Sequence, residues 1–275
     1  MRLATIRTAR GTRAVRVDAD RAVETGHPDI GALLAAPDWR AVAEAAAGPV
    51  HDRDGLDYAP VVPCPGKIIC VGVNYAAHIR EMGRETPRYP TLFAKYAEAL
   101  IGARDDIVLP AASEAVDWEA ELALVIGAPV RHADEQAAEA AIAGYTVIND
   151  VTARDWQYRT LQWLQGKTFE ATTPLGPELV TPDEAGKRLE LSCTVDGDTM
   201  QTANTADLVF GPAATVAYIS MILTLQPGDV VALGNPGGVG HARTPPRYLQ
   251  PGQVLTTSIA GLGACSNTCV AEKRP

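Results

Sequence analysis

Glu119-Ala120-Glu121-Leu122-Ala123-Leu124-Val125-Ile126 is the stretch from which the fold and the chemistry of this 275-residue chain are read. Its apolar run is short, which suits a buried strand. Side chains two apart on a strand share a face, so Glu119 and Glu121 stand side by side where the apolar segment begins. Adjacent carboxylates repel, and a buried pair is costly unless a cation neutralises it. An isolated Glu-x-Glu is equally the mark of a solvated strand end, so the rest of the chain has to decide.

Further along, Gly144-Tyr145-Thr146-Val147-Ile148-Asn149-Asp150 is a second strand ending in a carboxylate. Asn-Asp is also ordinary turn chemistry. If Asp150 converges with the two glutamates, the site is all-oxygen, which suits magnesium, manganese or calcium better than zinc. Earlier in the chain, Lys67–Val73 is a β-branched strand, and Asn74 caps a helix from Tyr75 to Met82 that stops at Gly83. His78 and Glu81 share a helix face. Such a pair is either a surface contact or an imidazole oriented as a general base. The polar loop after Gly83 suits a lid. Lys167, in Gln165-Gly166-Lys167-Thr168-Phe169, is either a solvated lysine or, beside a metal, a group that stabilises developing negative charge.

The pattern predicts further strands at 91–95, 191–195, 229–233 and 254–259, and helices at 134–142, 153–163 and 212–224. Many short strands with few helices imply a mixed, β-rich body, not a doubly wound sheet. Residues 1–62 are expected to form a small N-terminal domain of two strands and short helical pieces. A proline-bearing extended linker (Pro49, Pro60, Pro63, Pro65) leads to a catalytic domain over 63–275. The cluster Gly234-Asn235-Pro236-Gly237-Gly238-Val239-Gly240 has no helix after it and holds a proline, so it is not a dinucleotide or P-loop site.

Net charge is -9 without a basic cluster, which argues against nucleic acid. No apolar run approaches the roughly 20 residues that cross a bilayer, and the start lacks a secretory signal pattern. Five cysteines form neither an even set nor a CxxC pair, consistent with free thiols in a reducing, cytoplasmic setting.

The stretches VGVNYAAHIREMG, PTLFAKYAEALIGARDDIVLP, VDWEAELALVIG, GYTVINDVTARDWQ, QGKTFEATTPLGP, QPGDVVALGNPGGVG and PPRYLQPGQVL occur together and in order. In this the chain resembles the fumarylacetoacetate hydrolase family from Gly66 to the C-terminus, and more loosely before it. The resemblance implies that family's β-roll or sandwich of mixed sheets with short helices, a homodimer, and Mg2+ or Mn2+ (or Ca2+) held by Glu119, Glu121 and Asp150. It implies a lid dyad of His78 and Glu81, a catalytic Lys167, and Arg154, Gln157 and Asn235 on the substrate side. The implied substrate is a small oxo acid.

The implied reaction is hydrolysis of a carbon–carbon bond in an acylpyruvate-like compound, with His78 activating water. Decarboxylation of an oxo acid or isomerisation of a hydroxymuconate-type diacid are the alternatives, and a catalytically inactive metal-binding dimer is a distant one. The chain departs from the family pattern at Asn235, where threonine is usual, at Glu170 and Gln253, where aspartate is common, and at Tyr96-Ala97-Glu98-Ala99. These changes border the pocket and spare the metal ligands, which implies an altered substrate, such as one from specialised biosynthesis.

Overall fold

The computed structural model describes residues 1–273 except Met82 and Arg84, and except the side chains of His78 and Glu81. In it the strand Ala120–Ile126 lies deep inside the largest sheet, with all seven residues buried. Ala120, Leu122, Leu124 and Ile126 enter one core, together with Leu191, Val195, Leu255 and Ile259. Ala123 and Val125 enter a second core with Ile30, Leu33, Val61 and Val62. A strand covered on both faces needs apolar residues at every position, which is why this segment reads as a continuous run rather than an alternation.

Across the sheet the strands run Val50–Asp52, Arg21–Glu24, Gly11–Val17, Arg2–Thr8, Thr173–Val180 and Ile142–Asn149, then Ala120–Ile126, Val230–Ala232, Ile68–Gly72 and Thr91–Lys95. Most neighbours are antiparallel, but Val230–Ala232 pairs in parallel with Ile68–Gly72, so the sheet is mixed. A second sheet of five strands (Asp198–Asn204, Glu190–Val195, Val254–Ile259, Gly263–Ala271 and Ile107–Leu109) shares the first core. The helices are short, the longest among the described residues being Pro212–Ile222.

The first strand joins the body directly, through Arg2↔Val180 and Leu3↔Leu179. The N-terminal unit is thus hydrogen-bonded into the main sheet. The proline-bearing stretch expected as an extended linker is packed instead, with Val61 and Val62 buried in the second core.

Two other expectations change. Of the helix expected over 153–163 only Arg154–Gln157 is helical, and a second short helix, Leu164–Lys167, begins just beyond that span. Between them the Thr160 hydroxyl donates to the Gln162 carbonyl and accepts from the Gln162 N–H and Gln165 Nε2, local bonds that compete with helix formation. The strand Thr173–Val180, unexpected because it carries Pro174, Gly176 and Pro177, is central. Its register against Ile142–Asn149 slips between Tyr145 and Val147, opposite residues 177–179, and this irregularity takes up Pro177. In Gly263–Ala271 the buried residues are Cys265, Asn267 and Cys269, so the two cysteines are core positions on one strand face.

Candidate metal centre

The register of one strand pair assembles the carboxylates. Ala120 stands opposite Asn149, and the Asp150 N–H donates to the Glu119 carbonyl at 2.8 Å. Glu119, Glu121 and Asp150 therefore face the same side at one end of the sheet. One oxygen from each lies within 4.8 Å of the others, and all three residues are buried. Asn149 is no turn residue here. Its Oδ1 accepts from the Glu119 N–H at 2.9 Å and its Nδ2 donates to Thr257 Oγ1 at 2.8 Å, which locks the strand ends in place.

Two ammonium groups hold this cluster. Lys167 Nζ bridges Glu119 Oε2 at 2.6 Å and Asp150 Oδ2 at 2.8 Å. Lys95 Nζ donates to Asp150 Oδ1 at 2.6 Å. Burial alone would raise the Asp150 carboxyl, but Lys167 and Lys95 together hold it below the usual carboxylate range. Burial likewise opposes the charge on Lys167, and Asp150 and Glu119 outweigh it, so that ammonium titrates above an ordinary lysine.

Glu121 is different. Its Oε2 accepts from the Gly234 N–H at 2.8 Å, and no cation pairs with it directly among the described residues. Burial first, then Asp150 and Glu119, push its carboxyl well above the usual range. Gly234 is there for a reason: its φ is +86°, and a Cβ would lie 2.7 Å from the Val71 carbonyl oxygen. The glycine cluster thus serves the carboxylates.

Arg154 closes the circle. Its Nη1 lies 2.7 Å from Glu119 Oε1 and 2.9 Å from Gln157 Oε1, and its Nε donates to Asp117 Oδ2 at 2.8 Å. Burial disfavours its charge, but Glu119 and Asp117 hold its pKa above that of a free arginine. The buried Nη2 has no partner among the described residues. Asp117 is a hub: besides Arg154 it accepts from the backbone N–H groups of Trp118, Gly240 and His241.

These residues suit a hard divalent cation. The donor set is three carboxylates without thiolate or imidazole, and a carboxylate oxygen that accepts an N–H keeps lone-pair capacity for a metal. Asp117, Glu119, Glu121 and Asp150 set four carboxylates against the three fixed cations Lys95, Lys167 and Arg154, so a divalent ion turns the site from net negative to net positive. That change meets the unbalanced charge at Glu121.

A cavity of about 290 Å³ opens onto the cluster. Glu119, Glu121, Lys167, Arg154, Gln157 and Asn235 all line it. Asn235 donates through Nδ2 to the Pro236 carbonyl at 2.9 Å. The helix Ala76–Glu81 carries His78 and Glu81 and starts three residues after Val73, which lines the cavity. The side chains of that expected dyad lie outside the described residues. A larger groove of about 460 Å³, between Pro37–Glu44 and Gly127–Ala143, holds no such carboxylate cluster among the described residues.

The residues that sequence reading passed over are Lys95, Asp117 and His241. Lys95 had a signal: Phe93 and Lys95 share a strand face, which points a lysine the same way as an aromatic ring. Asp117 sits two residues before Glu119, in a strand of two residues, and nothing local announces a hub whose donors, Trp118 apart, come from 37 and more positions away. His241 also lines the cavity.

Residues 67–270 match the family described as fumarylacetoacetate (FAA) hydrolase C-terminal. The human oxaloacetate tautomerase FAHD2A, mitochondrial, is 42% identical over 230 residues, covering 82% of this chain and 73% of the relative. Among solved structures, fumarylacetoacetate hydrolase from Exiguobacterium antarcticum superposes with a TM-score of 0.88 at 30% identity, covering 99% of this chain and 100% of that one. The 5-carboxymethyl-2-hydroxymuconate delta-isomerase from Mycobacterium smegmatis does so with a TM-score of 0.83 at 31% identity, again covering 99% and 100%. Ordered motifs, a mixed β-rich fold and a buried acidic triad thus agree with these likenesses, and the chain is a member of the fumarylacetoacetate hydrolase family.

Proposed function

We propose that this chain is a divalent-metal-dependent enzyme that moves a proton at C3 of a small 2-oxo acid bearing a second carboxylate, interconverting its enol and keto forms. The observation that carries the reading is the pairing, at one cavity, of a metal-suited triad bridged by Lys167 with Arg154, whose buried Nη2 has no partner among the described residues. The 42% identity to an oxaloacetate tautomerase supports it. A cation held by Glu119, Glu121 and Asp150 supplies Lewis acidity toward the 2-oxo group.

The chain's own residues do the rest. Lys167, kept charged by Glu119 and Asp150, has used two of its three N–H donors and meets negative charge that develops on the substrate oxygen. Arg154 Nη2 binds a carboxylate, with its angle fixed by Asp117 and Gln157. Phe93 and Trp163, edge to face at 5.4 Å, line the cavity with apolar surface and limit water. His78, one turn from Glu81, is assigned the proton: the O–H of the enol breaks as a C3–H bond forms.

A second reading is carbon–carbon hydrolysis of an acylpyruvate. The retained His78 and Glu81, three apart on one helix, favour it, as does the likeness to a fumarylacetoacetate hydrolase. Incubation with Mn2+ in D2O separates the two. Chelator-sensitive acceleration of deuterium entry at C3 of oxaloacetate, with all carbons retained, is expected. Cleavage of acylpyruvates to two acids without acceleration of exchange in oxaloacetate would replace this reading with the hydrolase, and carbon dioxide release alone with a decarboxylase.

A further inference from the structure

We infer that His241 is a specificity-determining residue that reads the far end of the substrate and selects a 2-oxo acid whose distal group is a carboxylate. The inference rests on the small oxo-acid reading above and adds the group that distinguishes one such acid from another.

The main chain of His241 is fixed by the residue that fixes Arg154. Asp117 Oδ2 accepts from Arg154 Nε at 2.8 Å and from the His241 N–H at 2.9 Å, while Oδ1 accepts from the Gly240 N–H at 2.7 Å. Gly240 leaves no slack, since a Cβ there would fall 1.8 Å from the Arg247 carbonyl oxygen. Three contacts, from His241 through Asp117 and Arg154, thus lead to Glu119 of the triad. The guanidinium and the imidazole leave one anchoring carboxylate and line one cavity.

The ring is held as well. Its Nδ1 lies 2.9 Å from Tyr248 Oη, and it packs at a tilt against Tyr158 with centroids 5.3 Å apart. With Tyr248 as donor to Nδ1, Nε2 carries the ring's proton and is a second N–H donor on the lining of the cavity that Arg154 also lines, where Arg154 Nη2 is buried and has no partner among the described residues. Two donors on a shared base match the two oxygens of a carboxylate. Because Asp117 binds only the backbone of His241, the side chain can vary without disturbing the Asp117–Arg154 pair.

The test compares two probes on the Mn2+-loaded protein by calorimetry. Oxalate is a two-carbon dianion that fills only the metal end, and 2-oxoglutarate adds a distal carboxylate. His241→Ala is expected to lower the 2-oxoglutarate-to-oxalate affinity ratio about tenfold, the loss of roughly one charge-assisted hydrogen bond, and His241→Gln, which keeps an N–H donor, to restore most of it. In turnover of oxaloacetate the same alanine variant should raise KM more than it lowers kcat. An unchanged ratio, or an equal loss for both probes, overturns the inference. Wild-type protein that fails to turn over oxaloacetate while the ratio behaves as expected would instead refute the reaction proposed above.

Discussion

Replacing Glu121 by glutamine should make the metal-free protein more stable and the metal-loaded protein less so. Among the described residues Glu121 is the triad carboxylate without a direct cation partner, and its neighbours' oxygens lie within 4.8 Å. At that distance and an effective dielectric of about 20, each like-charged neighbour costs about 3.5 kcal/mol, part of which Lys167 offsets. Glutamine still accepts from the Gly234 N–H and carries no charge, so a net gain of about 1–2 kcal/mol is expected at pH 8 without metal. For a chain of this size that raises Tm by about 2–4 °C per kcal/mol.

The sign with pH follows from the raised folded-state pKa of Glu121. The native state holds this proton more tightly than the unfolded chain, so wild-type stability from this group is present below the unfolded value, about 4.3. It is lost as pH rises toward the folded value. The Glu121→Gln advantage should therefore be small near pH 4 and grow above it. Mn2+ reverses the order: at 100 times Kd it stabilises the wild type by about 2.7 kcal/mol and should leave the variant unmoved. Thermal melts with Mn2+ and with chelator, at pH 5 and pH 8, read both effects. A variant less stable than wild type in chelator, or one still stabilised by Mn2+, would refute the reasoning.

Lys167→Met should retain Mn2+ binding by calorimetry yet lower kcat by about 100-fold or more, the usual cost of losing a preorganised charge-stabilising donor; a smaller loss would move the role to Lys95. Asp117→Asn breaks a buried ion pair and a four-donor hub, so a loss of about 3–5 kcal/mol in denaturant melts is expected, with KM raised in any folded protein. Val73 has a φ of +59°, unfavourable for a β-branched residue. Val73→Gly should change stability by less than about 1 kcal/mol, whereas Val71→Gly, in the buried strand beside it, should cost about 2 kcal/mol or more; equal losses would show that the turn is unstrained.

What could be read in advance was what strand period and register carry. The spacing of Glu119 and Glu121 and the apolar run behind them place two carboxylates on one face, and the run ending at Asp150 supplies a partner strand of the right character. The Thr173–Val180 strand escaped because prolines locally argue against a strand, a rule that the slip in register opposite Pro177 relaxes. Helix 153–163 was too long because side-chain bonds of Thr160 act against a pattern that otherwise favours helix. Asp117 and His241 escaped for another reason. Their meaning lies in contacts with Arg154 and Gly240 brought in from distant positions, and no local period records that.

The central claim is tested most directly by following the near-ultraviolet absorbance of enol oxaloacetate in a stopped-flow instrument with Mn2+-loaded protein. Enol decay that is faster with enzyme, lost on adding chelator and absent in Glu119→Ala is the predicted result. Decay at the uncatalysed rate with Mn2+ demonstrably bound, or acceleration that survives chelator, would contradict it.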